Sequence, residues 1–181
     1  MNADDLASIA KTIRANLQIQ PGERLYTVVD ACQDTALVAM AQKQYRQPIR
    51  MLFQGAAAKH MGDFAPYLIP IDLETDYLEQ WVARWGKNVG VLLKSSAPLN
   101  DIHTHLRMIF VVTDESGQEH FFRFYDPRVL RLYLPTCKSH ELHKFFGPVS
   151  VWYSQGDTED FLSFRQHDAE LATLSTRLLS F

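Results

Sequence analysis

Apolar residues recur along this chain with two periods, and the changes of period divide it into elements. Leu6, Ile9, Ala10, Ile13 and Leu17 fall three and four apart, which predicts an amphipathic helix over residues 3–17. Pro21-Gly22 ends it. Leu25-Tyr26-Thr27-Val28-Val29 is a continuous apolar run, as a central strand requires, and Asp30 closes it. Asp34 stands where an N-cap belongs for a helix from Thr35 to about Gln44. Pro48 breaks that pattern. Met51-Leu52-Phe53 is short and ambiguous, and an Ala-rich helical turn follows from Gly55 to Met61. Tyr67 to Ile71 reads as an edge strand, because Pro70 has no N–H to give to a ladder. Glu74 to Trp85 predicts a helix with a wide apolar face, stopped by Gly86.

Val89 to Leu93 predicts a strand in which Gly90 admits a neighbouring backbone closely. Pro98 opens a helix whose Leu99, Ile102, Leu106 and Ile109 face inward. Met108–Thr113 and Glu119–Tyr125 predict a hairpin around the Gly-bearing loop 114–118. Val129 to Tyr133 is a short helix ended by Leu134-Pro135. Ser139 caps a helix through Phe146, and Gly147-Pro148 stops it. Val149 to Tyr153 reads as the last strand. From Asp168 onward, Leu171, Leu174, Leu178 and Leu179 predict a terminal amphipathic helix. The chain stops inside that apolar pattern, at Leu179-Ser180-Phe181, so either the helix packs tightly or the native chain continues.

Interleaved helices and strands with one antiparallel hairpin predict a single α/β (or α+β) domain, its mixed, partly antiparallel sheet covered by helices. Residues 1–23 form an N-terminal helical segment and residues 24–154 the main domain. Residues 155–181 form an acidic linker, centred on Gly156-Asp157-Thr158-Glu159-Asp160, and a terminal helix.

Length and charge narrow the function classes. A chain of 181 residues buries roughly 70% of its unfolded surface and needs no staples. A formal net charge of −3 gives no general pull toward nucleic acid or an anionic membrane. No apolar run reaches the roughly 20 residues of a membrane span, and no basic region precedes an apolar stretch at the N-terminus. Cys32 and Cys137 lie far apart and imply no disulfide framework, so a cytoplasmic, soluble protein is expected.

Four constellations could carry chemistry. Cys137, His140 and His143 have the spacing of a zinc half-site, but no fourth ligand is evident. His103 and His105, two apart on a helix, point to different faces. Cys32 follows a strand and precedes a helix, where a thiol can be activated; a small buried apolar residue is the simpler reading. No phosphate loop or nucleophile elbow is present. The fourth is the run Phe121-Phe122-Arg123-Phe124-Tyr125-Asp126-Pro127-Arg128-Val129-Leu130. Its aromatics predict a strand, and Asp126-Pro127 predicts a helix start with Asp126 as N-cap. Arg123 and Arg128 therefore flank a sharp corner. As a site, they would clamp a carboxylate or phosphate. As structure, Asp126 caps the helix and pairs with one of them, which is the preferred reading.

The chain resembles a known family through an ordered set of blocks. They are Leu25 through Asp30-Ala31-Cys32-Gln33-Asp34, then Ala65-Pro66-Tyr67-Leu68-Ile69, then Trp85-Gly86 with Gly90-Val91-Leu92-Leu93-Lys94-Ser95. Leu106-Arg107, Phe122 through Leu130, Leu134-Pro135-Thr136 and Phe145-Phe146-Gly147-Pro148-Val149 complete the set. Together, over about residues 24–152, they are similar to the type VI secretion effector adaptor/chaperone family, domain of unknown function 4123 (DUF4123). The resemblance implies a non-enzymatic protein without cofactor or metal. It would bind a secreted effector, through a helical segment, in the bacterial cytoplasm and help load it onto the VgrG spike protein. It would bind neither nucleic acid nor membrane. Arg123, Asp126, Arg128, Tyr125 and Asp30 are the candidate partner-binding or structural corner. The rivals are a cysteine- or metal-dependent enzyme using Cys32 or Cys137/His140/His143, and an oligomerising module using Leu171, Leu174 and Leu178.

Overall fold

The computed structural model describes residues 3–45 and 48–178. The first helix, α1 (Ala3–Leu17), buries Ile9, Ala10, Ile13 and Leu17, the stripe its periodicity predicts. Strand β1 (Arg24–Asp30) leads to α2 (Thr35–Gln44), where Asp34 accepts a capping hydrogen bond from the Leu37 N–H at 2.9 Å. There follow β2 (Arg50–Met51), α3 (Gly55–His60), β3 (Pro66–Ile71), α4 (Tyr77–Val82) and β4 (Gly90–Ser95). Next come α5 (Leu99–Phe110), β5 (Val111–Thr113), β6 (Glu119–Phe121), α6 (Pro127–Tyr133) and α7 (Ser139–Phe146). The described chain closes with β7 (Val151–Gln155), β8 (Asp160–His167) and β9 (Glu170–Arg177).

Seven strands form one sheet in the order β2-β3-β1-β4-β7-β8-β9, antiparallel at every pairing, and β5–β6 stand apart as a two-stranded ribbon. Strand alternation divides the core in two. Leu25 and Val29 face α1, α2 and α4, while Tyr26 and Val28 face α5, α6 and α7. The result is a single α/β domain with helices on both faces. β4 and β7 are neighbours, Lys94 lying opposite Val151, so residues 96–150 leave the sheet and return to the adjacent position. Gly90 allows the close approach expected of it: a Cβ there would fall 2.1 Å from the Val28 carbonyl oxygen.

A polar anchor ties α1 to the sheet. Lys94 is 3% exposed, and its Nζ reaches Glu23 Oε2 at 2.8 Å and the Gln18 carbonyl at 3.0 Å. The Tyr153 hydroxyl donates to the Leu17 carbonyl at 2.9 Å. The orphan carbonyls at the end of α1 thus find buried donors, with a cation at the negative end of the helix.

Several elements differ from the sequence reading. The tail is no helix: residues 160–177 fold as the β8–β9 hairpin. Leucines at 171, 174 and 178 fit a helical stripe. However, Phe161, Phe164, Thr173 and Thr176 favour strands, and Asp168-Ala169 forms a two-residue turn with φ of +46° and +71°. Leu178 packs in the α1 core, Leu171 against the opposite core, and Leu174 is exposed. Leu179 and Phe181 lie outside the described residues.

β3 is flanked on both sides, by β2 and β1, so it is not an edge strand as a whole. β2 covers only Tyr67 and Leu68, however, which leaves the stretch around Pro70 bare on that side. The α4 helix is shorter than residues 74–85, although Trp85 still packs on Trp81, ring centroids 5.9 Å apart. The hairpin ladder is short as well. α5 runs on to Phe110, and the chain leaves β6 after Phe121.

Candidate functional site

The segment after β6 turns because its aromatics bury in different directions. The Phe122 N–H bonds to the Phe110 carbonyl at 2.8 Å, and the Phe124 N–H to the Phe122 carbonyl at 2.9 Å. Phe124 is fully buried and meets Trp152 edge-on at 5.7 Å. This drives Arg123 outward on one side and leaves Asp126 to start α6, where its Oδ1 accepts the Arg128 N–H at 3.0 Å and Pro127 occupies the first helical turn.

The five corner residues singled out from sequence come together. Strand alternation puts Asp30 on the α5–α7 face of β1, and its side chain is 3% exposed. Arg123 Nη2 donates to Asp30 Oδ2 at 2.8 Å and lies 3.7 Å from Asp126 Oδ2. Arg128 grips Asp126 with two bonds, Nε to Oδ1 at 2.9 Å and Nη2 to Oδ2 at 2.7 Å. The Arg123 guanidinium carbon sits 5.9 Å from the Tyr125 ring centroid. The corner is therefore a braced joint of two buried carboxylates under two arginines. Those arginines remain about half open to solvent, with side chains 45% and 56% exposed.

The two carboxylates titrate in opposite directions. Burial raises Asp30 and outweighs the Cys32 N–H bond and Arg123. Burial would also raise Asp126, but the Arg128 side-chain and backbone bonds overcome it and hold the carboxyl below its ordinary range. Tyr125 is pushed up to about 12 by burial and the neighbouring Asp30 charge.

Beside the corner runs a groove of about 460 Å³, lined by Met108, Val111, Val112, Phe122, Tyr133 and Phe145, with Glu141 and Lys144 at its rim. Met108 is 68% exposed and Val112 43%. Around the other side of the ribbon, Phe121 is 53% exposed, stacked on Phe110 at 4.8 Å and against Phe53 at 5.1 Å. Sequence reasoning missed this surface. The pattern predicts one strand over Glu119–Tyr125, whereas the ladder ends at Phe121 and the chain turns at Phe122, leaving Phe121 exposed on one side and Phe122 in the groove wall on the other. Another groove, of about 560 Å³, follows the bare part of β3, past Tyr45, Pro70 and Asp72, away from the corner.

The other candidates are dispersed. Cys137 Sγ lies 3.5 Å from the Tyr133 carbonyl, and burial raises its thiol pKa. Among the described residues no group of three His, Cys, Asp or Glu side chains is arranged to hold a metal ion. Cys32 is exposed and its N–H bonds to Asp30. His103 and His105 bond to different carbonyls, those of Met51 and Phe145. No helix among the described residues is long and apolar enough to cross a membrane.

Residues 25–144 match the family described as domain of unknown function, DUF4123. The chain belongs to the DUF4123 family. No curated protein and no solved structure matches it. The DUF4123 match contains the whole corner and all but Phe145 of the groove's lining, and it stops short of β7, β8 and β9. The corner and groove thus belong to the shared part of DUF4123, and the terminal hairpin lies beyond it.

Proposed function

We propose that this DUF4123 protein is a non-enzymatic adaptor, acting in the bacterial cytoplasm, that binds a type VI secretion effector and helps load it onto the VgrG spike. The family resemblance supplies the partner class. The observation that carries the reading is the groove between α5–β5 and α7, whose apolar side chains stand open beside a charged, rigid corner. A groove of this kind accepts the apolar face of an amphipathic helix, with anchors spaced three and four apart. Glu141, Lys144 and the half-open arginines offer a polar rim that fixes orientation.

Calorimetry with the effector encoded beside this gene tests it. The expected result is a complex at micromolar concentration that Met108→Asp, at an exposed position, weakens at least tenfold. Absence of a complex with folded protein, or affinity indifferent to Met108→Asp and Val112→Asp alike, would reject the groove reading.

A further inference from the structure

β9 ends the sheet, and among the described residues nothing pairs with its outer edge. Its register on β8 is unbroken, from Asp160 opposite Arg177 to His167 opposite Glu170. The two-residue turn makes His167–Glu170 the closing pair that exchanges both main-chain bonds. Alternation then aims the N–H and C=O groups of Glu170, Ala172, Leu174 and Thr176 at β8. The Leu178 N–H, bonded to the Glu159 carbonyl at 2.9 Å, keeps the same phase. The main-chain groups of Leu171, Thr173, Ser175 and Arg177 consequently face outward.

Natural sheets blunt such edges with proline, lysine, a bulge or a covering element. Between Glu170 and Arg177 this strand has no proline, no lysine, no bulge and no charge, and most of it is exposed.

We infer that β9 is a dimerisation edge, pairing antiparallel with β9 of a second copy of this chain about a two-fold axis through Leu174. The strand is its own complement. A two-fold axis perpendicular to the sheet keeps each face on its own side, so opposed residues must share a face and the outward groups must meet one another. With the axis at Leu174, Thr173 faces Ser175 of the second copy and Leu171 faces Arg177, giving roughly eight main-chain hydrogen bonds. Leu174 meets its own copy as a non-hydrogen-bonded pair, the position where side chains approach most closely. It is 62% exposed, a large apolar side chain with no cover of its own. No like charges oppose: Arg177 meets Leu171, and Glu170 meets Leu178. This register uses nothing of the groove or the corner, so the inference stands apart from the adaptor reading.

Light scattering of the full chain, across a concentration series to tens of micromolar, tests it. The expected mass is twice the 20.8 kDa of one chain. Thr173→Pro removes an outward N–H and spares every bond to β8, so it should yield a folded monomer. Leu174→Lys places two charges on the axis and should weaken the dimer at least tenfold, which keeps the test open if the proline variant fails to fold. In the wild type, the amides of Thr173 and Ser175 should exchange slowly. A monomer throughout the series, or a dimer untouched by Leu174→Lys, overturns the inference. So does rapid exchange at both amides, which would leave the edge bare, and so does slow exchange in a chain that stays monomeric, which would give the edge to some other extended segment.

Discussion

The His105 imidazole fills the space that a side chain at Gly147 would need. A Cβ on Gly147 would lie 2.3 Å from His105 Cε1, and the ring is held there by a 2.9 Å bond from Nε2 to the Phe145 carbonyl. Gly147 itself sits at φ +49°, ψ −118°, where L residues are strained. Gly147→Ala should therefore destabilise the fold by about 2–4 kcal/mol, through strain and overpacking together. In a His105→Ala background the same change should cost roughly 1 kcal/mol less, the steric part having gone. Urea denaturation of the four proteins in this cycle gives both numbers; zero coupling would show that the contact does not matter.

The corner carboxylates should respond oppositely to pH. Asp126 has a lowered pKa in the fold. Its stabilisation is present above the ordinary carboxylate value of about 3.9 and is lost as pH falls through the folded value. Asp30 has a raised pKa. Its contribution is complete below about 3.9 and is lost as pH rises through the folded value. At pH 7, Asp126→Ala should cost about 1–2 kcal/mol, mostly the cap, since the arginines it abandons are half solvated. Asp30→Asn should cost less, and its deficit should shrink between pH 4 and pH 7. Urea midpoints across that range check both; parallel pH profiles for the two variants would contradict the assignment.

Arg123 and Arg128 separate joint from partner contact. If they brace the corner alone, Arg123→Ala and Arg128→Ala lower the melting temperature and partner affinity together. If they also touch the cargo, affinity falls tenfold or more while melting shifts by only a few degrees, as expected for arginines this exposed. The adaptor proposal expects the second outcome for Arg128, the more open of the two. Paired melting and calorimetry measurements decide it.

The ribbon's loop carries its own acid marker. Asp114 accepts from the Ser116 hydroxyl at 2.6 Å, His120 Nε2 at 2.7 Å and the Gln118 N–H at 3.0 Å, which holds its pKa at about 2. The loop order this provides is present above the ordinary carboxylate range and lost as pH falls through about 2. Side-chain carboxyl NMR shifts should show a midpoint there, and Ser116→Ala should raise it. A midpoint near 4 would mean the loop is open in solution.

Much of the interior was legible from apolar spacing. The α1 stripe, the Asp34 cap, the buried β1 run and the Asp126-Pro127 helix start each rest on local chemistry, and each formed where local chemistry put it. The terminal hairpin was not legible, because Leu171, Leu174 and Leu178 satisfy a helical period and a strand's pairing alike, and only partnership with β8 chooses between them. Within the corner, the identity of the residues was readable but the Arg123–Asp30 bond was not, since it joins positions 93 apart. The groove escaped for a different reason: its exposure depends on where the chain turns at Phe122, which composition cannot express.

The excursion of residues 96–150 between neighbouring strands has a kinetic consequence. Because it departs and returns beside itself, its helices and ribbon can assemble on local contacts. Stitching them to β1 through Asp30 and Arg123 requires closing a far longer loop. That stitch should be missing at the folding barrier. Arg123→Ala would then leave the refolding rate almost unchanged and act by hastening unfolding, making this ion pair a determinant of the native state's lifetime.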